Sequence, residues 1–397
     1  MNKTIWLLCL TLSTTYLSIA QSAKDSLNLE LTQIMKASRL PGLGLSIADK
    51  TGVLYANGFG YSNLEEQIKY DAHTVQHVAS ISKTFIGMAL MQLVEAGKLS
   101  LEDEINDLLP FQVINPHFPQ HEIKLIHLVT HSSGIQETDE MDNSSYFIKD
   151  RTASKSDFPK GYYKFYKKYL KNKHLSYSEY VQLYLATDGE KYSPNNFGDY
   201  QPGTQFAYTN IGACLAAYIV ELVSGQSFIS YTQSHITGPL GMKNTAWDIN
   251  DITSTNKAQP YFQNGSKAPA YQLISYPSGG LHTSSYDIGL YMAEIMNGYL
   301  GKGSLLSAKS YQILLSNQIS SDTITERNGV FWNINGEDNI GHGGAEIGAA
   351  CNVLFSPQLG KTIFVMVNIS SFEEEELERD YIKILIAVSK FARQISR

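Results

Sequence analysis

Strand-like periodicity occupies the two ends of this chain and helical periodicity fills its middle, and no other feature constrains the fold as much. After a helical segment from about Ser26 to Ser38, Pro41 to Ala48 alternates apolar and small residues. Lys50, Thr51 and Gly52 then turn the chain, and Val53 to Phe59 returns, a β-hairpin signal. At the far end, Gly329 to Ile334, Glu346 to Phe355 and Thr362 to Asn368 read as strands, with a turn at Ser356 to Gly360 joining the last two. Strands at both termini imply one sheet assembled from the two ends. The expected fold class is α/β of the α+β kind: an antiparallel sheet flanked by helices, built from residues about 25–75 and 325–397, plus a mainly helical region at about 76–324. Periodicity places helices in that region over Ser80 to Ala96, Glu102 to Leu109, Ile123 to His131, Ile211 to Ser224, Tyr286 to Asn297 and Ala308 to Ser316. A final helix is expected from Ser371 as N-cap, with Glu374 completing a capping box. Glu373, Glu375 and Glu376 near its start and Lys390, Arg393 and Arg397 near its end complement the helix dipole.

The 397 residues are 43% hydrophobic and 17% charged, a globular composition that excludes disordered, collagen-like and coiled-coil chains. A net charge of -7 gives no general attraction to nucleic acid or to an anionic membrane. The charge is uneven, however. Lys149 to His174 holds nine Lys/Arg against two Asp, a local +7 that leaves -14 elsewhere, and ten of the 25 Tyr lie between Tyr146 and Tyr200. This Lys/Tyr-rich insertion, about 143–200, reads most simply as amphipathic helices with packed Tyr rings and solvated Lys heads, beside the entrance to a site. Lys3, the apolar run Ile5 to Leu12 and the small residues of Ser18, Ile19, Ala20 form a secretory signal over residues 1–20, so a periplasmic or secreted mature chain beginning at Gln21 is expected. Cys9 sits inside the apolar run rather than after it, which argues against a lipid anchor. No other window approaches the roughly 18 apolar residues of a membrane span. Cys214 and Cys351 lie in apolar, small-residue contexts and read as buried free thiols rather than a bridge.

Three short stretches carry chemistry. In Ser80, Ile81, Ser82, Lys83, positions i and i+3 of a helix bring an ammonium beside a hydroxyl. A lysine partly desolvated there can take the hydroxyl proton and make a nucleophile. Tyr208, Thr209, Asn210, directly before a helix, adds a phenol able to relay a proton and an amide able to donate and accept. His342, Gly343, Gly344 is read as a loop preceding a strand near Glu346; its glycines allow close approach of a substrate carbonyl, and Ala345 can offer an N–H. His127 and His131 have zinc-like spacing but no Glu follows His127 and no third ligand is evident, so no metal is expected. A G-x-S-x-G elbow and phosphate-binding Gly motifs are absent from the sequence, and no cofactor is implied.

The order S-x-x-K, Y-x-N and a late triplet ending in Gly resembles the class C β-lactamase and penicillin-recognising serine hydrolase family. Ile126 to Gly134 is similar to that family's HLLTHTSG segment, Pro239 to Met242 to its PLGM, and Ser278 to Leu281 to its GGL turn. The resemblance runs from about residue 25 to the C-terminus and implies a β-lactamase/transpeptidase-like fold. It further implies Ser80 as acylated nucleophile, Lys83 as general base, Tyr208 as proton relay and Asn210 as substrate contact, with the N–H groups of Ser80 and Ala345 as oxyanion hole. The departure is His342 where β-lactamases carry the Lys of K-T-G. A neutral imidazole gives a substrate carboxylate no fixed charge, which argues against efficient β-lactam hydrolysis, and His-x-Gly resembles the family's D-aminopeptidase, carboxypeptidase and esterase branches, which implies an esterase or D-amino-acid peptidase. The expected partner is a small-molecule or peptidoglycan-like substrate, not nucleic acid. The alternative is a penicillin-binding-like sensor that acylates without turnover.

Overall fold

A computed structural model of the chain describes residues 22–395 apart from 149–151, 153, 159–161, 337–338 and 371–373. The signal segment, Ser371 and Arg397 therefore lie outside the described residues. The N-terminal end supplies β1 (Gly42–Asp49), β2 (Gly52–Asn63) and β3 (Ile68–Lys69), and the middle supplies β4 (Val75–His77), β5 (Tyr146–Ile148), β6 (Tyr271–Leu273) and β7 (His282–Ser284). The C-terminal end supplies β8 (Asn333–Asn335), β9 (Asn339–Glu346), β10 (Ala349–Ser356) and β11 (Lys361–Val367). Seven of these form one antiparallel sheet in the order β3-β2-β1-β11-β10-β9-β8, so the two chain ends meet where β1 pairs with β11, Leu45 opposite Val365. β4 pairs with β7 and β5 with β6 in small two-stranded sheets.

The central strand shows why both faces of the sheet are covered. In β11, Ile363, Val365 and Val367 pack into one core with Leu31, Ile384, Val388 and Phe391 of the terminal helices. The alternate residues Phe364 and Met366 pack on the other face, with Phe85 and Tyr291 of the helical region. Side chains alternate between faces with period two, so a strand buried on both sides reads as an unbroken apolar run. The helices at 22–37 and Glu375–Gln394 cover the first face; Lys83–Glu95, Asn210–Ser224 and Ser285–Tyr299 form the main helices of the second.

Four expectations need correction. The helix expected from Ser80 begins as a 3-10 turn, Ala79–Ser82, and becomes α-helical only at Lys83. His342 to Gly344 is not a loop but lies inside β9, and Glu346 ends that strand instead of starting one. Cross-strand pairing with β10 and close packing against the turn at 78–82 override the low strand propensity of its glycines. The strand expected from Gly329 is only Asn333–Asn335, with Val330, Phe331 and Trp332 buried ahead of it and Phe331 in the left-handed region at φ 58°. The last helix has Glu374, not Ser371, at its N-cap with no side-chain cap bond; Glu374 pairs instead with Arg39.

Along the Lys/Tyr-rich stretch, rings pack inward and ammonium groups face solvent. The rings of Tyr166, Tyr169, Tyr177, Tyr180 and Tyr184 are buried, while Lys164, Lys167 and Lys168 on the Tyr162–Tyr169 helix are exposed. Both thiols, Cys214 and Cys351, are free and buried. Among the described residues no single helix is long and apolar enough to cross a membrane.

Candidate active site

Ser80 sits where β4 ends and the Lys83–Glu95 helix begins. The residue before it, Ala79, holds φ 46°, a left-handed conformation that costs a non-glycine residue roughly 1–3 kcal/mol and persists only when its surroundings enforce it. The enforcement is visible. Val78 N–H donates to Leu281 O at 2.9 Å, Leu281 N–H donates to Ser82 Oγ at 3.0 Å, and Ser82 Oγ donates to Ala79 O at 2.6 Å. The Cys351 thiol donates to Val78 O at 3.0 Å from beneath.

Lys83, one helical turn on, is fully buried. Its ammonium donates to Ser80 Oγ at 3.1 Å, Asn210 Oδ1 at 2.7 Å and Ser278 O at 2.7 Å, which uses all three of its protons. Tyr208 stands beside it, with its ring centre 4.9 Å from Lys83 Nζ, and is 39% exposed, so it faces any incoming molecule. Behind Tyr208 lies His131, ring centres 4.3 Å apart, itself in a left-handed conformation at φ 56°. Asn210 opens the Asn210–Ser224 helix, and the buried carboxylate of Glu137 accepts the N–H groups of Asn210 at 2.5 Å and Ile211 at 3.1 Å. Burial pushes the Glu137 carboxyl above its ordinary range, against the pull of those two N–H groups.

Strand β9 forms the opposite wall. A Cβ on Gly344 would lie 2.5 Å from Val78 O and 2.6 Å from Cys351 Sγ, so only glycine lets the strand approach the turn that carries Ser80. Alternation puts His342, Gly344 and Glu346 on one face of β9 and Gly343 and Ala345, both exposed, on the other. His342 is held down to about 4, first by burial and then by the charge of Lys83, and burial, Lys83 and His342 hold His131 well below its ordinary value; both rings are neutral at pH 7. Glu346 is pushed up to about 7 by burial and accepts from Tyr146 Oη at 2.5 Å. Gly279 lies between the two walls, its Cβ position 3.9 Å from both Ala79 C and Glu346 Oε2.

Thus Ser80, Lys83 and Asn210 are joined directly, Tyr208 lies over Lys83, and His342, Gly344 and Ala345 share the facing strand. Asn210, expected as a substrate contact, commits its carbonyl oxygen to Lys83. Glu137, the Ser278 carbonyl and Glu346 were not singled out from the sequence as parts of the site. A backbone acceptor has no side-chain signature, and the Glu137 contacts span 73 and 74 residues of chain. His127 and His131 do not converge: His127 Nδ1 accepts the Lys124 N–H at 3.1 Å, and among the described residues no His/Cys/Asp/Glu group could hold a metal ion.

A Ser–Lys pair at a helix start, facing a strand of a helix-covered antiparallel sheet, defines the β-lactamase/transpeptidase-like class of fold. The chain belongs to the Beta-lactamase family, whose model matches residues 28–387. It is 24% identical over 341 residues to Protein flp of Staphylococcus aureus (strain MW2), an alignment covering 85% of this chain and 61% of that protein. The chain thus spans about three fifths of the length of that curated relative. Among solved structures it is similar to the octameric penicillin-binding protein homologue from Pyrococcus abyssi, with TM-score 0.70, 24% identity, and 94% and 78% of the two chains covered. It is also similar to a hydrolase with promiscuous acyltransferase activity, with TM-score 0.67, 18% identity, and 93% and 99% covered.

Proposed function

We propose that this protein is a serine hydrolase that cleaves an ester or a peptide-like amide through an acyl intermediate on Ser80. The observation that carries the reading is the 3.1 Å contact between Lys83 Nζ and Ser80 Oγ, with Lys83 anchored by Asn210 and the Ser278 carbonyl. Once Lys83 is a neutral amine, the same contact works in reverse: the Ser80 hydroxyl gives up its proton to Nζ as Oγ bonds to the substrate carbonyl. The oxyanion then lies between the Ser80 and Ala345 N–H groups. The C–O or C–N bond breaks, and the leaving group departs with a proton relayed through Tyr208. Water enters by the reverse path, releasing the acid and restoring Ser80.

The neutral His342 favours carbonyl substrates without a carboxylate, such as esters or D-amino-acid amides, over β-lactams, whose carboxylate wants a fixed cation. The similarity to a hydrolase with promiscuous acyltransferase activity agrees with acyl-serine chemistry. The test is a rate panel of a nitrophenyl ester, a D-alanine amide and a penicillin, with wild type and Ser80→Ala. Turnover of the ester or amide that vanishes in the variant is expected. A lasting penicillin adduct without turnover would instead support the penicillin-binding reading. Export completes the proposal, and N-terminal sequencing of protein recovered from outside the cytoplasm should begin at Gln21.

A further inference from the structure

Beyond the turn that holds Lys83 lies a second cavity of about 670 Å³ that includes none of Ser80, Lys83, Tyr208 or His342 among its lining residues. Its size falls within the range of about 300–1,000 Å³ typical of small-molecule sites. The Lys/Tyr-rich insertion, β4 and the Tyr276–Gly280 turn all contribute walls, so the cavity backs onto the catalytic site through β4, which leads to Ser80, and through the turn whose Ser278 carbonyl holds Lys83.

Two features of the wall define what fits. Tyr276 meets Tyr177 edge to face at 5.2 Å and Trp247 at 5.6 Å, which makes a three-ring aromatic corner. The fully charged types in the lining are Glu221 and Asp248 alone, with no Lys or Arg. Lys257, which lies outside the lining, donates its ammonium to Ile249 O at 2.7 Å. Of the three histidines in the lining, His77 and His282 face each other across the β4–β7 pair, and burial holds them down to about 3 and about 4, so these two add no positive charge near pH 7; the third, the exposed His174, packs edge to face on Phe147. Finally, Gln272 Oε1 on β6 is buried without a hydrogen-bond partner, and so is His282 Nδ1. The Gln272 carboxamide oxygen can only accept, so left unpaired in the wall it calls for a donor.

From the aromatic corner, the carboxylates and the unpaired acceptor, we infer that this cavity binds a small organic cation: an aromatic or alkyl body carrying an ammonium group. Aromatic faces attract such a cation electrostatically, the carboxylates Glu221 and Asp248 fix its sign, and its N–H protons supply the donor that Gln272 Oε1 lacks. This site is separate from the acyl-transfer chemistry of Ser80 and stands whether or not the proposed hydrolysis does.

Calorimetric titration of the full chain with 2-phenylethylammonium, 2-phenylethanol and phenylacetate tests it, because the three share one ring and differ in charge. The expected result is saturable one-to-one binding of the ammonium, at least about tenfold tighter than the alcohol, with the anion weakest. In the isosteric double variant Glu221→Gln/Asp248→Asn, whose carboxamide oxygens can still accept from Phe228 N and Asn250 N, the ammonium should fall to the affinity of the alcohol. Gln272→Leu should weaken the ammonium, and Ser80→Ala should leave its affinity unchanged. Thermal unfolding of each variant shows that it is folded. Equal affinity for all three probes, no saturation in the millimolar range, or a charge preference that survives the double variant would overturn the assignment.

Discussion

Lys83 is the residue on which the site turns. A buried ammonium is tolerated only with its protons paired, and here one partner is the Ser80 hydroxyl while the other two hold the lysine in place. Lys83→Ala should therefore lower kcat on an activated ester by roughly a hundred- to ten-thousand-fold with little change in KM, measured by steady-state kinetics; a change confined to KM would contradict the role. Glu137 acts one step back. Glu137→Ala removes the acceptor for two N–H groups at the start of the Asn210–Ser224 helix and should cost about 1–2 kcal/mol of stability in denaturant titration, together with activity, while Glu137→Gln should recover much of both. Wild-type activity in Glu137→Ala would refute the assignment. The thiols offer a simpler check. Burial pushes Cys214 up to about 12 and Cys351 higher, so neither should react with an aromatic disulfide in the native protein. In denaturant two thiols should titrate if the signal has been removed and three if Cys9 remains. At this scale the sequence was informative wherever chemistry is local: Ser80 and Lys83 are three residues apart on one helical face. Glu137 and the Ser278 carbonyl carried no signal because their partners arrive through the fold.

Among the elements, β9 is the one whose reading changed most. Its glycines made His342 to Gly344 look like a loop, yet they are what allow a strand to lie against the turn that carries Ser80. The two glycines should behave differently. Gly344→Ala forces a Cβ into Val78 O and Cys351 Sγ and should cost roughly 1–3 kcal/mol and most of the activity. At Gly343 the nearest atom is the end of the flexible Asn352 side chain at 3.3 Å, so Gly343→Ala should be nearly silent in both unfolding and kinetic assays. Equal effects of the two would show that β9 does not press on the turn. Helices with strong periodicity were read to within a few residues, Asn210–Ser224 against an expected Ile211 to Ser224 and Ser285–Tyr299 against Tyr286 to Asn297. The start of the Ser80 segment was misjudged because a 3-10 turn with a left-handed Ala79 has no sequence marker; it is imposed by Leu281 and Ser82.

For the whole molecule, the joining of its two ends was legible because β1, β10 and β11 carry strand patterns strong enough to survive any context, and β1 meets β11 as that reading required. What the sequence could not convey is how many histidines the fold buries. His77 is held at about 3 and His127, His282 and His342 at about 4, each first by burial, and His131 is also well below its ordinary value. An unfolded histidine binds its proton near pH 6.5, so between about pH 6.5 and 4 the unfolded chain holds more protons than the folded one and stability falls as pH falls. Glu346, raised to about 7, works the other way, losing stability as pH rises from about 4.5 to 7, and Glu137, Asp142 and Asp287, also raised by burial, act in the same sense; the five histidines outweigh them. The midpoint of denaturant unfolding should therefore drop steadily from pH 7 to pH 4.5; a flat or rising midpoint would contradict the burial of these rings.

The central claim is covalent chemistry at Ser80, and rapid-quench intact and peptide mass spectrometry during turnover of an activated ester tests it most directly. The account predicts a transient acyl mass on the peptide containing Ser80 in the wild-type protein, accumulating in Lys83→Ala only slowly and never in Ser80→Ala. Undiminished ester turnover by Ser80→Ala, or an acyl group carried on any other residue, would contradict it.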